Sequence, residues 1–287
     1  MEKHYFDKQT DIAWCPGCGN FGLRNIMMEA YAELGIAKED LVMVSGIGQA
    51  AKSPQYYDVS YFNGLHGRAL PVATGIKAAN PGLTVVVQSG DGDIYGEGGN
   101  HLVHAIRRNP NITVIVHNNM IYGLTKGQAS PTSPKGLKTP VQIDGVSEEP
   151  LNPLSLAISL GGTFVARASV GNADFTKEII KKAIMHKGFA LVDVFQGCVS
   201  FNKVNSHKWF EENSYVLPEG YNPENKVRSF EKALESSPWP LGIIYLEQGK
   251  PSFEDTIYLY SQDKTPLYQR QRDTHGSGRQ KTGRNQS

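Results

Sequence analysis

The chain has 287 residues, with 29 Lys and Arg against 28 Asp and Glu, a formal charge of +1 that excludes a protein gripping nucleic acid through a basic face. No apolar run approaches the ~18 residues of a membrane span, and the polar start over residues 1–10 excludes a secretion signal. Three cysteines, an odd count, make no disulfide framework, so a cytoplasmic protein whose cysteines do metal or redox work is expected.

Taken in chain order, the pattern predicts a helix over 21–34 and a strand over 41–45, then a helix over 68–79 and a strand over 84–88. A helix over 98–108, a strand over 112–117, a helix over 153–160 and a strand over 163–166 follow. The helix over 173–186, opened by an Asn or Asp cap in Gly171-Asn172-Ala173-Asp174, leads to a strand over 190–195. None of the strands alternates cleanly, so both faces of the sheet are expected to be covered, as in a parallel sheet. The fold class is therefore α/β, a doubly wound and mostly parallel sheet, with ligands beyond the carboxyl ends of the strands.

Two segments break this rhythm. Residues 123–149 are rich in Gly, Pro, Ser, Thr and Lys without a period, a length uncommon unless functional or disordered. Beyond Phe195 prolines are dispersed among short apolar stretches. The expected organisation is a core over 1–200, an irregular extension over 201–260 packing on that core or on a partner, and a disordered tail over 261–287.

Directly after the 84–88 strand stands Ser89-Gly90-Asp91-Gly92-Asp93, and the 112–117 strand ends in Asn118-Asn119. Asp91 and Asn119 are 28 positions apart. Adjacent parallel strands joined by one helix set their carboxyl ends side by side, so the two residues converge on one crevice. A carboxylate and an amide carbonyl are hard oxygen ligands that suit Mg²⁺, which keeps phosphate oxygens in its remaining positions. The flanking glycines let backbone approach a diphosphate, and a helix start near Gly98 offers N–H groups to an anion.

This pairing resembles the thiamine diphosphate fingerprint, G-D-G followed by N-N, of the diphosphate-binding domain in that enzyme class. The resemblance implies that Asp91, Asn119 and the Ile121 carbonyl hold Mg²⁺, with Gly92, Asp93, Gly123 and Leu124 along the cofactor. Four further runs narrow the family: Trp14-Cys15-Pro16-Gly17-Cys18-Gly19, Ser45-Gly46-Ile47-Gly48, Leu65-His66-Gly67-Arg68, and Gly123-Leu124-Thr125-Lys126-Gly127-Gln128. Together, over roughly residues 11–210, they are similar to the β subunit of 2-oxoacid:ferredoxin oxidoreductases, especially the 2-oxoglutarate type. What this implies is CoA-dependent oxidative decarboxylation of a 2-oxoacid, 2-oxoglutarate to succinyl-CoA and CO₂, with electrons passed to ferredoxin.

By the same resemblance Ile47, Gly48, Gln49 and Ala50 line the thiazolium side, and His66 contacts the cofactor near its diphosphate. Lys126 faces the substrate's carboxylates or the phosphates of CoA, where a point charge holds an anion without demanding geometry. Four cysteines hold a 4Fe–4S cluster in this family. Cys15, Cys18 and Cys198 match three of those positions, and Gln49 stands at the other. A water, His66, Asp58 or a partner residue could complete the set; a 3Fe–4S cluster and no cluster also stay open. A thioredoxin-like dithiol at Trp14-Cys15-Pro16-Gly17-Cys18 is disfavoured because no strand precedes it, and a zinc site lacks a second cysteine pair.

Thiamine enzymes need a carboxylate against the aminopyrimidine ring, and only one diphosphate-type unit is legible here. The resemblance assigns that Glu to an α subunit with the pyrimidine-binding domain, in a heterodimer or a dimer of heterodimers. Two other functions remain: a non-oxidative thiamine decarboxylase or carboligase whose cluster was lost at Gln49, and a non-catalytic electron-transfer protein.

Overall fold

The computed structural model describes residues 2–270. Eight strands form one sheet: β1 (Leu41–Ser45), β2 (Ser60–Asn63), β3 (Thr84–Gly90), β4 (Thr113–Asn118), β5 (Phe164–Ser169), β6 (Ala190–Phe195), β7 (Ser214–Val216) and β8 (Trp239–Leu246). Their spatial order is β2-β1-β3-β4-β6-β5-β8-β7. Pairings among β1 to β6 are parallel; β8 runs antiparallel to β5, and β7 pairs parallel with β8. The helices are α1 (Gly19–Glu33), α2 (Ala69–Ala79), α3 (Gly99–Arg108), α4 (Pro153–Ser159), α5 (Ala173–Met185), α6 (His207–Glu212), α7 (Lys226–Ala233) and α8 (Phe253–Thr256).

The expected doubly wound sheet is present, and its two cores explain the missing alternation. Val85 and Val87 of β3, Val114 and Val116 of β4 and Leu191 of β6 pack with α2, α3 and α4 on one face. Val86, Ile115, Val192 and Val194 turn to the other face, against Leu23, Met27 and Tyr31 of α1 and Ile179 and Ile180 of α5. Successive residues thus bury on opposite sides, and a strand apolar at every position is the result.

The stretch 201–260, expected to be irregular, holds α6, α7, α8 and two strands of the sheet. Pro240 and Gly242 inside β8 read as breakers, yet β8 pairs with β5 across a register shift at Val165/Ala166. Part of the expected tail is also ordered into turns: Arg270 donates to the carbonyls of Leu259, Asp263 and Thr265 and lies over the Tyr260 ring. Residues 271–287 of that tail lie outside the described residues.

The chain leaves β1 for β2 on one side, then returns to β3 on the other. This reversal is the topological switch point, and the crevice outside the strand ends there is where ligands bind in such sheets.

Candidate functional site

The crevice is built from the carboxyl ends of β1, β3 and β4 and the loop before α2. It brings together Ile47, Gly48, Gln49, Ala50, His66, Asp91, Gly92, Asp93, Asn119, Ile121, Gly123 and Leu124, with His117 and Tyr122. After β3 the backbone enters a single π-helical turn, Gly92–Glu97, before α3. Such widened turns concentrate at functional sites. The Gly98 N–H, expected to be open to an anion, is engaged by the Asp93 carbonyl at 2.9 Å, because the wider turn closes onto it.

Asp91 is 2% exposed. Its Oδ2 accepts hydrogen bonds from Ser130 Oγ at 2.6 Å and Thr132 Oγ1 at 2.7 Å. These are neutral donors, and the nearest charge of note, Asp193, is repulsive; burial pushes the Asp91 carboxyl up to about 6. A buried carboxylate without a positive partner is costly to keep ionised, and a divalent cation at this point would reverse that cost. The donor set of the crevice therefore fits a hard, oxygen-seeking cation.

Opposite Asp91, the chain after β4 is held in a shape few residues adopt. Met120 has φ +56. Asn118 Oδ1 accepts from Met120 N at 3.2 Å and Asn119 Oδ1 from Ile121 N at 3.1 Å, so two side-chain carbonyls brace consecutive turns. Ser133 Oγ donates to the Met120 carbonyl at 2.7 Å, and Asn202 Nδ2 to the Asn119 carbonyl at 3.1 Å. The aperiodic 123–149 segment thereby acquires a function: its hydroxyls return to fix both halves of the site.

Asp93, expected along the cofactor, has its carboxylate engaged within the protein. Oδ1 accepts from Ile47 N at 2.9 Å and Gly67 N at 2.8 Å, and Oδ2 from Ser89 Oγ at 2.8 Å. The side chain is a clamp joining the loops after β1 and before α2 to the loop after β3. His66 follows from that clamp. Its Nδ1 lies 2.9 Å from Glu97 Oε2, which also accepts from Tyr122 Oη at 3.0 Å. Lys126, in contrast, is exposed and does not line the crevice; its φ of +76 sets it on a tight turn.

The three cysteines lie near one another: burial, with smaller contributions from Cys198 and Cys15, raises the Cys18 thiol above its usual range. Asn20 Oδ1 accepts from Gln196 Nε2 at 2.6 Å and pairs with His117 Nδ1 at 2.8 Å, tying residues two positions from Cys18 and from Cys198 to the floor of the crevice. A Cβ at Gly19 would fall 2.6 Å from that of Gln196, so the two cysteine segments touch through a glycine. Trp14 Nε1 donates to the Gln49 carbonyl at 2.8 Å, and Gln49 Oε1 is buried without a partner. The thiols are neighbours, yet among the described residues no three His, Cys, Asp or Glu side chains stand in a metal-holding group. Two candidates for a fourth ligand are engaged elsewhere, Asp58 with Lys38 and His66 with Glu97.

Sequence reasoning missed Ser130, Thr132, Glu97, Tyr122 and His117 as site residues. His117 had a signal, since it directly precedes Asn118-Asn119 at the strand end. Buried between Asn20 and Gln88, it is held neutral, its pKa depressed to about 3 by desolvation.

Fold and crevice define a class of protein, the α/β domain that binds thiamine diphosphate. The family described as thiamine pyrophosphate enzyme, C-terminal TPP binding domain, matches residues 42–194, and the family of the C terminal of the pyruvate ferredoxin oxidoreductase beta chain matches 198–262. The chain is 43% identical over 273 residues to the beta subunit of 2-oxoacid:ferredoxin oxidoreductase 2 of Aeropyrum pernix, covering 90% of this chain and 88% of the relative. It is 37% identical over 253 residues to the 2-oxoglutarate synthase subunit KorB of Methanocaldococcus jannaschii, covering 85% and 91%. The solved 2-oxoglutarate:ferredoxin oxidoreductase from Magnetococcus marinus, with 2-oxoglutarate, coenzyme A and succinyl-CoA bound, superimposes with a TM-score of 0.88 at 36% identity, covering 91% and 90%. The chain belongs to the β subunits of 2-oxoacid:ferredoxin oxidoreductases, and its likeness extends to those of the 2-oxoglutarate type.

Proposed function

We propose that this chain binds Mg²⁺ and thiamine diphosphate in the crevice and, with an α subunit, oxidatively decarboxylates 2-oxoglutarate to succinyl-CoA and CO₂, reducing ferredoxin. The observation that carries this reading is Asp91: a fully buried carboxylate with only neutral donors, facing Asn119 across a braced crevice. Asp91, Asn119 and the Ile121 carbonyl would hold the cation, and the backbone of Gly92 and Gly123 would lie along the diphosphate. When bound, the cofactor supplies the centre that stabilises the charge left by departing CO₂.

The residues of this chain bind and orient. The Asp93 clamp keeps Ile47 and Gly67 at fixed positions on the two walls. Glu97 fixes the His66 ring through Nδ1, which leaves Nε2 to hold or move a proton in the crevice. No Glu lines the crevice among the described residues, which supports a companion chain that brings the pyrimidine carboxylate. Cys15, Cys18 and Cys198 would hold an iron–sulfur cluster with a non-thiolate fourth ligand, and Lys126 would meet the substrate's distal carboxylate or CoA. A cytoplasmic heterodimer, or a dimer of heterodimers, is the assembly this reading requires; no helix among the described residues is long and apolar enough to cross a membrane.

Gln49, standing where the resemblance puts a cysteine, favours one second reading, a non-oxidative thiamine enzyme without the cluster. An anaerobic assay of the α/β complex with a panel of 2-oxoacids, CoA and a viologen acceptor tests the proposal. CoA-dependent viologen reduction with 2-oxoglutarate is expected, together with iron and sulfide in the complex. Decarboxylation without viologen reduction, in a complex free of iron, would establish the second reading instead.

A further inference from the structure

On the other side of β4 from the crevice lies a cavity of about 320 Å³, whose lining is disjoint from that of the crevice. That volume is at the lower end of the range for small-ligand sites. The cavity opens at the carboxyl ends of β4, β5 and β6 and at the start of the reversed strand β8. Three aromatic rings wall it. Trp239 meets Phe195 at 5.5 Å between centroids and Trp209 at 5.3 Å, and neither pair is stacked face to face. Rings fixed at an angle to one another leave a slot for another planar group.

Arg167, 3% exposed, lines this slot. Its Nε donates to Asp193 Oδ2 at 3.0 Å, and its guanidinium lies 4.8 Å from the Phe195 centroid. Its Nη1 is buried and has no hydrogen-bond partner. Asp193 cannot help further at that nitrogen, because Oδ1 already accepts from Tyr95 Oη at 2.9 Å and Asn118 Nδ2 at 3.0 Å. The other polar groups on the same side are also engaged: Thr132 Oγ1 reaches Asp91 Oδ2 and Asn118 Oδ1, and Asn118 Oδ1 accepts from Met120 N. One strong donor is therefore left over in an aromatic slot, in a protein that otherwise satisfies this neighbourhood closely. Buried polar groups are nearly always paired, and an exception calls for a ligand or a water.

We infer that this slot is a binding site for a small aromatic monocarboxylate, its ring between Phe195, Trp209 and Trp239 and its carboxylate on the free edge of the Arg167 guanidinium. A carboxylate suits the guanidinium better than a neutral acceptor does, because the hydrogen bond is charge-assisted and the fork geometry matches. The site is independent of the crevice reading, since none of its anchoring groups serves the proposed cation.

Two of the three tryptophans in the chain, Trp209 and Trp239, face the slot and report on it directly. The test is titration of the full-length chain, and of its complex with the α subunit, with benzoate and with benzamide, followed by tryptophan emission and calorimetry. Saturable benzoate binding is expected in both forms, with benzamide about tenfold weaker or more. Trp239→Leu, which leaves the ion pair alone, should weaken benzoate about tenfold. Arg167→Lys, which keeps a cation for Asp193 but removes the second donor edge, should do the same while the thermal transition stays cooperative. Equal affinity for benzamide, or binding lost in the complex, would overturn the inference. So would an experimental density map showing only an ordered water at Nη1 in crystals soaked with benzoate.

Discussion

Tyr122 occupies the space that a side chain at Gly92 would need. A Cβ there would overlap the Tyr122 ring, and the phenol reaches the Gly92 carbonyl at 3.2 Å and Glu97 Oε2 at 3.0 Å. The middle glycine of Gly90-Asp91-Gly92 is therefore required by a contact within the crevice wall, in addition to any approach of a diphosphate. Through Glu97 the same contact sets the His66 ring.

Gly92→Ala should push Tyr122 off Glu97 and distort the wall, an overpacking cost of roughly 1–3 kcal/mol. Tyr122→Phe should keep the wall but lose one hydrogen bond to a carboxylate, worth about 1.5–3 kcal/mol. Thermal melts of both variants, with retention of thiamine diphosphate through gel filtration, check this. Gly92→Ala is expected to lose cofactor, and Tyr122→Phe to retain most of it.

The buried His117 gives a pH dependence whose sign can be worked out. Its pKa is about 3 in the folded chain and about 6.5 in an unfolded one, so the unfolded state binds the extra proton first. Stability from keeping it neutral is full above about pH 6.5 and is lost as pH falls toward the folded value, by up to about 1.4 kcal/mol per pH unit. His117→Gln should flatten the stability profile between pH 6.5 and 4 by about that slope, in urea melts across that range.

Lys126 stands exposed on a turn of positive φ, and no acidic side chain pairs with it among the described residues. If it meets a distal carboxylate, Lys126→Ala raises KM for 2-oxoglutarate and leaves pyruvate much less affected. Equal losses for both substrates would reassign it to CoA or to the carboxylate they share.

Gln49 bears on the iron chemistry. A non-thiolate ligand removes one negative charge from a cluster, which raises its potential and leaves one iron open to oxygen. Gln49→Cys should therefore lower the potential and slow bleaching in air, both visible in an EPR-monitored titration and in absorbance decay. An air-stable native cluster whose potential the substitution leaves unchanged would contradict this assignment.

Much of this architecture was legible in the chain, for a physical reason. β1, β3, β4 and β6 are buried on both faces, so they read as unbroken apolar runs between turn residues. β2 was illegible because it is an exposed edge strand, all four of its residues outside the core. β8 was obscured by Pro240 and Gly242, tolerated where the strand meets a short partner and a register shift. Asp91 and Asn119 were legible because topology alone places adjacent strand ends together. Ser130 and Thr132 were not: they reach Asp91 across 39 and 41 positions by tertiary folding of a segment with no period.

The account turns on Asp91 as the cation-binding carboxylate, and the most direct measurement is Mg²⁺-dependent binding of thiamine diphosphate to the Asp91→Ala complex. Without that carboxylate the cofactor should fail to survive gel filtration, while the melting transition stays cooperative and the native complex retains the cofactor stoichiometrically. An Asp91→Ala complex that still held stoichiometric thiamine diphosphate in Mg²⁺ would contradict the assignment.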